Sequence, residues 1–417
     1  MPAARALLRV PIVLVRHAPA LLAWYLAGET VRAAVLAIAA PIGPEQSPLL
    51  GLLLVPLAVL ARLVAYIGMF LTVRPSLPAL VRLGGYRDRP GFRAVVAEFT
   101  GILLAGIVPF FALYGLIGGV DADLVAYQRA AFSYSFAQAH ASLDLGDQPL
   151  FVVLVVVIAF IARQVLRRLG DRIPRGFAIV AIYLEATWVF VAFSGISAVF
   201  GSAVQWVQDR QIVSWITHAR ASLIDLWDGF RVALDGLGWA TPLAVQLILL
   251  PLAWLLIAGV IYTRALDAAA EARVVPARVE ARLRASLVRV PRPVRHQLGL
   301  LRDDWDETYK PLVVTGRLIA RAGIRNLAAF VAAYAVLYAA GQWLARGVVL
   351  AVGAHDERFW NDWLPLISLC VALVIEPIRI ALLGSAFDGA LARWEARAAT
   401  ASASSAPAAA PAAASRP

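Results

Sequence analysis

PLLGLLLVPLAVLARLVAYIGMF (48–70) runs for 23 residues with a single charge, Arg62. An α-helix rises about 1.5 Å per residue, and about 20 mostly apolar residues cross the hydrocarbon core of a bilayer. The stretch therefore reads as a membrane span. Its opening recurs. Pro48-Leu49, Pro149-Leu150, Pro242-Leu243 and Pro365-Leu366 each begin an apolar run, and an arginine follows three of these prolines by fourteen residues: Arg62, Arg163 and Arg379. The remaining copy has Leu256 at that offset. Such spacing suggests one repeated unit that carries a charge to a fixed depth.

Composition agrees. Hydrophobic residues are 61% of the 417 and mean hydropathy is +0.75, where soluble proteins are roughly half apolar. Eight stretches have the length and apolarity of spans: 18–40, 49–73, 94–120, 149–169, 177–205, 242–264, 326–353 and 365–388. The net charge of +11 would suit nucleic acid, but its distribution argues against that partner. Segments 1–17, 74–93, 164–176, 264–325 and 388–417 hold 28 Lys and Arg against 11 Asp and Glu. The alternating segments 41–47, 121–148, 206–241 and 354–364, with Arg346, hold 6 against 12. Basic residues in short loops stay cytoplasmic. The expected molecule is an all-α integral membrane protein with eight transmembrane helices and both termini inside. The run from Ala18 is too long for the core of a cleaved signal peptide, so the N-terminal segment is expected to be retained. Lys310 is the only lysine among many arginines, a usage that fits GC-rich codons and hence a bacterial plasma membrane. The expected partners are the bilayer itself, with anionic headgroups at the inner face, and other membrane proteins.

The spans pair as four αα-hairpins, 18–73, 94–169, 177–266 and 326–388, each leaving the inner face and returning to it. A duplicated two-span unit keeps its orientation, so the repeats would be parallel. Residues 1–17 form a cytoplasmic N-terminus. The outer segment 206–241, with Trp206, Trp215, Trp227 and Trp239, reads as an interfacial helix within the third hairpin. Segment 121–148 reads as a similar cap. Residues 267–325 form a cytoplasmic basic segment, in which VPARVEARLRASLVRV (275–290) has amphipathic helical spacing. The Ala/Ser/Pro tail 398–417 reads as disordered. Pro56, Pro251 and Pro377 are expected to kink their helices.

Charges inside spans are costly and mark pairing or function. They are Glu29, Arg32, Arg62, Glu98, Arg163, Glu185, Glu376 and Arg379. Fourteen residues from an outer proline is about 21 Å of helix, which brings the arginines to a depth similar to that of Glu98 and Glu185. Glu29–Arg32 and Glu376–Arg379 are i,i+3 neighbours. The expectation is a polar belt in the cytoplasmic third of the bundle, used to transport a solute or handle a lipid. The alternatives are a structural or accessory subunit of a membrane complex, with the charges locking helices, and a membrane enzyme acting on a lipid-linked diphosphate.

Two stretches resemble enzyme motifs. Asp388-Gly389-Ala390-Leu391-Ala392-Arg393 resembles the DGxxAR core of the CDP-alcohol phosphatidyltransferase family, whose aspartates bind metal and diphosphate. That family's preceding aspartate falls at Ser385, and its later glycine and paired aspartates are absent. Asp303-Asp304-Trp305-Asp306-Glu307 resembles the aspartate-rich motif of membrane prenyltransferases, which makes Asp303, Asp304 and Glu307 candidate metal ligands. The second acidic motif of that family has no counterpart in 74–93, where Asp88 stands among five arginines. No catalytic set or cofactor is expected. The five histidines are scattered singly, no HExxH, P-loop or GxGxxG occurs, and one cysteine, Cys370, permits no internal disulfide.

Overall fold

A computed structural model describes residues 8–45, 48–84, 92–116, 118–134, 149–169, 177–208, 245–271, 310–321 and 323–404, with 210, 211, 215, 218 and 231. These residues form helices and contain no strand. In chain order the helices are α1 Val10–Glu45, α2 Pro48–Leu52, α3 Val55–Val73, α4 Pro78–Gly84, α5 Phe92–Leu116, α6 Gly119–Tyr134, α7 Pro149–Leu169, α8 Phe177–Gln208, α9 Leu250–Glu271, α10 Lys310–Arg321, α11 Ile324–Val352 and α12 Glu357–Ser404. The protein is an all-helical membrane protein. Among the described residues five helices are long and apolar enough to cross a bilayer: α1, α3, α9, α11 and α12. α5 would make six if its two parts, which meet at a 44° bend, form one span. The described parts of α7 and α8 are shorter apolar helices.

Helix α3 sits at the centre, packed against α1, α5, α6, α8, α9 and α12. Lipid tails are as apolar as leucine, so close backbone approach drives such packing more than hydrophobic burial does. The α1–α3 contact uses small residues accordingly. A Cβ on Gly28 would lie 2.5 Å from the Ala65 Cβ and 3.2 Å from the Ala61 carbonyl oxygen, and Gly68 receives the Trp24 indole. The faces of α7, α11 and the first half of α12 carry large exposed apolar side chains, including Val153, Ile158, Trp343, Leu350 and Leu366. In a bilayer those faces meet acyl chains.

Several expectations need correction. α1 starts at Val10, eight residues before the expected boundary. Pro48-Leu49 opens only the five-residue α2. The helix then breaks at Leu53-Leu54 and restarts at Val55, with Pro56 in its first turn, where a missing N–H costs nothing. The freed Leu53 carbonyl accepts a 2.9 Å hydrogen bond from the Tyr183 hydroxyl of α8. Pro251 likewise follows a turn of π-helix, Val245–Leu249. Pro365 does not start a helix but lies inside α12, as does Pro377. The fourteen-residue offset therefore does not translate into a common position: Arg62 lies seven residues into α3, and Arg379 twenty-two into α12.

The first and fourth hairpins pack as pairs, α1 on α3 and α11 on α12. The middle ones pack differently, with α7 chiefly against α8, and α5 against α8 and α9. Sequence neighbours need not be spatial neighbours once side-chain fit decides. α12 continues to Ser404, seven residues into the expected disordered tail, through alanine-rich sequence that favours helix. The segment 275–290, the Asp303–Glu307 cluster, most of 206–241 and the tail beyond 404 lie outside the described residues.

Candidate functional site

The polar groups form tiers along α3. Arg62, Tyr66, Phe70 and Arg74 recur every four residues, about 6 Å apart along the axis. Each marks a level where other helices bring polar partners.

At the first level five side chains from four helices close a ring. Arg62 donates to Glu29 of α1, with Nε at 3.0 Å and Nη2 at 2.8 Å from Oε1. Arg62 also donates to the Tyr114 hydroxyl of α5, whose ring centroid is 5.6 Å from its guanidinium. The Tyr114 hydroxyl donates in turn to Asp123 Oδ2 of α6 at 2.7 Å. Asp123 Oδ1 accepts from Arg32 Nε at 2.8 Å, and Arg32 Nη1 returns to Glu29 Oε2 at 3.4 Å. Two arginines balance two carboxylates, so the ring is neutral. Asp123 is 0% exposed.

Helix α6 reaches this site for a local reason. Gly118 takes φ +74°, which lets the chain turn from α5 into α6. The buried face of α6 is Val120, Asp123, Tyr127 and Ala131, at helical spacing and packed on α1. The Tyr127 hydroxyl fills the space beside Gly51 in α2, where a Cβ would collide with it. Segment 121–134 is thus a docked helix with a carboxylate in its apolar stripe.

At the second level Arg379 Nε donates to Glu376 Oε2 at 2.9 Å, a pair within α12. The Tyr66 hydroxyl donates to Glu376 Oε2 at 3.3 Å and accepts from Arg379 Nη2 at 3.3 Å. Trp254 of α9 lies under the guanidinium, 4.7 Å from its ring centroid, and meets Tyr66 edge-on at 5.1 Å. An arginine so placed gains both charge pairing and cation–π attraction.

The remaining levels gather helix ends. The Tyr262 hydroxyl donates to the Phe70 carbonyl at 3.2 Å, and Arg74 pairs with Glu98 of α5. His17 Nε2 and Ser76 Oγ are 2.8 Å apart. Asp388 Oδ1 accepts the Ala79 and Leu80 N–H groups at 2.8 and 3.0 Å, capping α4 from another helix, while Oδ2 is 3.4 Å from Arg9. The start of α1, the ends of α3 and α9, the start of α5 and the C-terminal part of α12 therefore share one end of the bundle. α6 docks at the opposite end.

These positions redraw the expected belt. Glu29, Arg32 and Arg62 meet in the ring and Glu376 and Arg379 at the second level. Glu98 faces Arg74, which caps the end of α3, and not Arg62, Arg163 or Arg379 at the fourteen-residue offset. Glu185 is buried within α8, and the Arg163 side chain lies outside the described residues. From Arg62 to Arg74 the tiers span about 18 Å, so the charges are spread along the helix axis rather than gathered at one level. Sequence reasoning missed Asp123, Tyr114, Tyr66 and Trp254, and met Asp388 only as part of an enzyme-like hexapeptide, not as the cap of α4. A signal existed for Asp123, which sits three residues after Val120 and four before Tyr127, inside an apolar stripe. Asp388 of the phosphatidyltransferase-like hexapeptide is occupied by two backbone N–H groups and an arginine. Among the described residues no group of three or more His, Cys, Asp or Glu is placed to hold a metal.

Comparison with family models, characterised proteins and solved structures returns no match.

Proposed function

We propose that this chain is a structural or accessory subunit of a membrane complex in a bacterial plasma membrane, with both termini cytoplasmic. The observation that carries this reading is the closed, neutral ring Glu29–Arg62–Tyr114–Asp123–Arg32. Each member engages two others, and the ring ties α1, α3, α5 and α6 together. A binding site for an anionic solute would keep guanidinium donors for its ligand, whereas these donors are turned on carboxylates of the same chain. The orientation rests on the charge pattern of the sequence, in line with the positive-inside tendency, and on Arg9, Arg74 and Arg82, which lie at one end of the bundle.

Transport or lipid handling is the second reading. The break at Leu53-Leu54, the bend in α5 and the π-turn before Pro251 favour it, because discontinuous helices line many transport pathways. Cysteine accessibility separates the two. Single cysteines at Ala58, Ala258 and Ala381, all 0% exposed, are placed in a Cys370→Ala background with Arg82→Cys as a surface control. Under the scaffold reading, a small membrane-impermeant thiol reagent labels position 82 from the cytoplasmic face and the interior positions from neither face. Labelling of the interior positions in protein that elutes as a folded species would replace the scaffold by a water-filled pathway.

A further inference from the structure

The amphipathic helix α10, KPLVVTGRLIAR (310–321), belongs to no tier. It does not continue into α11: Gly323, at φ +92°, breaks the path between them. Its inward face is fixed. Thr315 is 0% exposed and Ile319 8%. The Thr315 methyl fills the notch at Gly259, and its hydroxyl lies 3.2 Å from that of Thr263. α10 therefore rests on α9 and α12 near the end that gathers the start of α1 and the C-terminal part of α12.

At about 100° per residue, Lys310, Arg317 and Arg321 fall within about 40° of one another, opposite the Thr315–Ile319 face. Arg317 is exposed, and so is Arg325 in the first turn of α11. Among the described residues at this end, Asp388 is engaged by Arg9, Glu395 by Arg82 and Glu98 by Arg74. Positions 310, 317 and 321 thus place cationic residues along about 16 Å of one helix face, with Arg317 exposed on it.

We propose that Lys310, Arg317 and Arg321, continued by Arg325, bind the anionic headgroups of the inner leaflet. Charge complementarity and position decide the partner. The stripe stands at the end of the bundle that gathers the start of α1 and the C-terminal part of α12, and a juxtamembrane cation near an anionic surface gains about fivefold in affinity. This surface is independent of the ring and stands whether the bundle is a scaffold or a pathway.

The test uses the full chain in neutral detergent micelles titrated with short-chain phosphatidylglycerol or phosphatidylcholine, with thermal melting checked on each sample. The wild type should prefer phosphatidylglycerol, and the preference should shrink with salt. The triple variant Lys310→Gln, Arg317→Gln, Arg321→Gln should lose about a hundredfold for phosphatidylglycerol and nothing for phosphatidylcholine. Arg317→Lys with Arg321→Lys should retain binding, because a surface potential needs charge and not a fork. If the triple variant melts early, Arg317→Glu with Arg325→Glu, both at exposed positions, gives the same reading. Unchanged phosphatidylglycerol affinity in folded charge variants overturns the proposal. Competition by inorganic phosphate at equal concentration also overturns it, assigning the stripe to soluble anions.

Discussion

Asp123 is the member of the ring whose loss has the most direct cost. It is fully buried and accepts from Arg32 and Tyr114. Asp123→Leu leaves two arginines facing one carboxylate, a net charge of +1 inside the bundle. Removing one partner of a buried pair costs about 3–5 kcal/mol. Arg32 keeps Glu29 at 3.4 Å and its side chain is 18% exposed, so the lower end, about 3 kcal/mol, applies. Arg32→Leu strands Asp123 instead, softened by the Tyr114 hydroxyl, and should cost about the same. The double variant removes both signs and leaves Glu29–Arg62 balanced. It should cost about 3 kcal/mol rather than the sum of about 6, a coupling of about 3 kcal/mol. Reversible unfolding in mixed detergent micelles, followed by tryptophan fluorescence, reads all four corners of the cycle. Additivity within about 0.5 kcal/mol would refute the reasoning, because the two side chains would then not be sensing one another's charge.

Gly28→Val places a branched side chain 2.5 Å from the Ala65 Cβ and should destabilise by about 1–3 kcal/mol. Adding Ala65→Gly should recover a large part of that in the same assay, and no recovery would mean that the α1–α3 crossing is not set there. Asp388→Ala removes the acceptor of the Ala79 and Leu80 N–H groups and should cost about 1–3 kcal/mol. Amide exchange over 78–84 should quicken in the alanine variant and far less in Asp388→Asn, which keeps an acceptor; equal quickening in both would shift the weight to Arg9.

Of the eight expected spans, those in α1, α3, α9, α11 and α12 were legible because length and apolarity alone meet the demand of a bilayer. The i,i+3 pairs Glu29–Arg32 and Glu376–Arg379 were legible because helical geometry makes such residues neighbours wherever the helix goes. What eluded the sequence depended on third parties. Proline marks either the start of a helix or a tolerated interior position, so Pro149 opens α7 while Pro365 lies within α12. Hydroxyls on Tyr66 and Tyr114 have little weight in hydropathy, yet each completes a charge network. Asp123 looked like one acid of an acidic loop, and only the docking of α6 on α1 turns it inward. The choice of α8 over α5 as the partner of α7 is decided by side-chain fit, which a single chain does not display.

The placement of carboxylates also bears on how the chain enters a membrane in the first place. A helix delivered into lipid meets acyl chains before it meets its future neighbours, and a central arginine then costs about 2.5–3.5 kcal/mol. Arg32 and Arg379 each follow a glutamate by three residues on their own helix, so they leave the insertion machinery with a counter-ion attached. Arg62 has no acid on α3, but Glu29 precedes it in the chain. Asp123 is synthesised after Arg32, Glu98 after Arg74, and Asp388 after Arg9. In each of these pairs one charge is made before the other, so the order of synthesis sets which charge waits for its counter-ion.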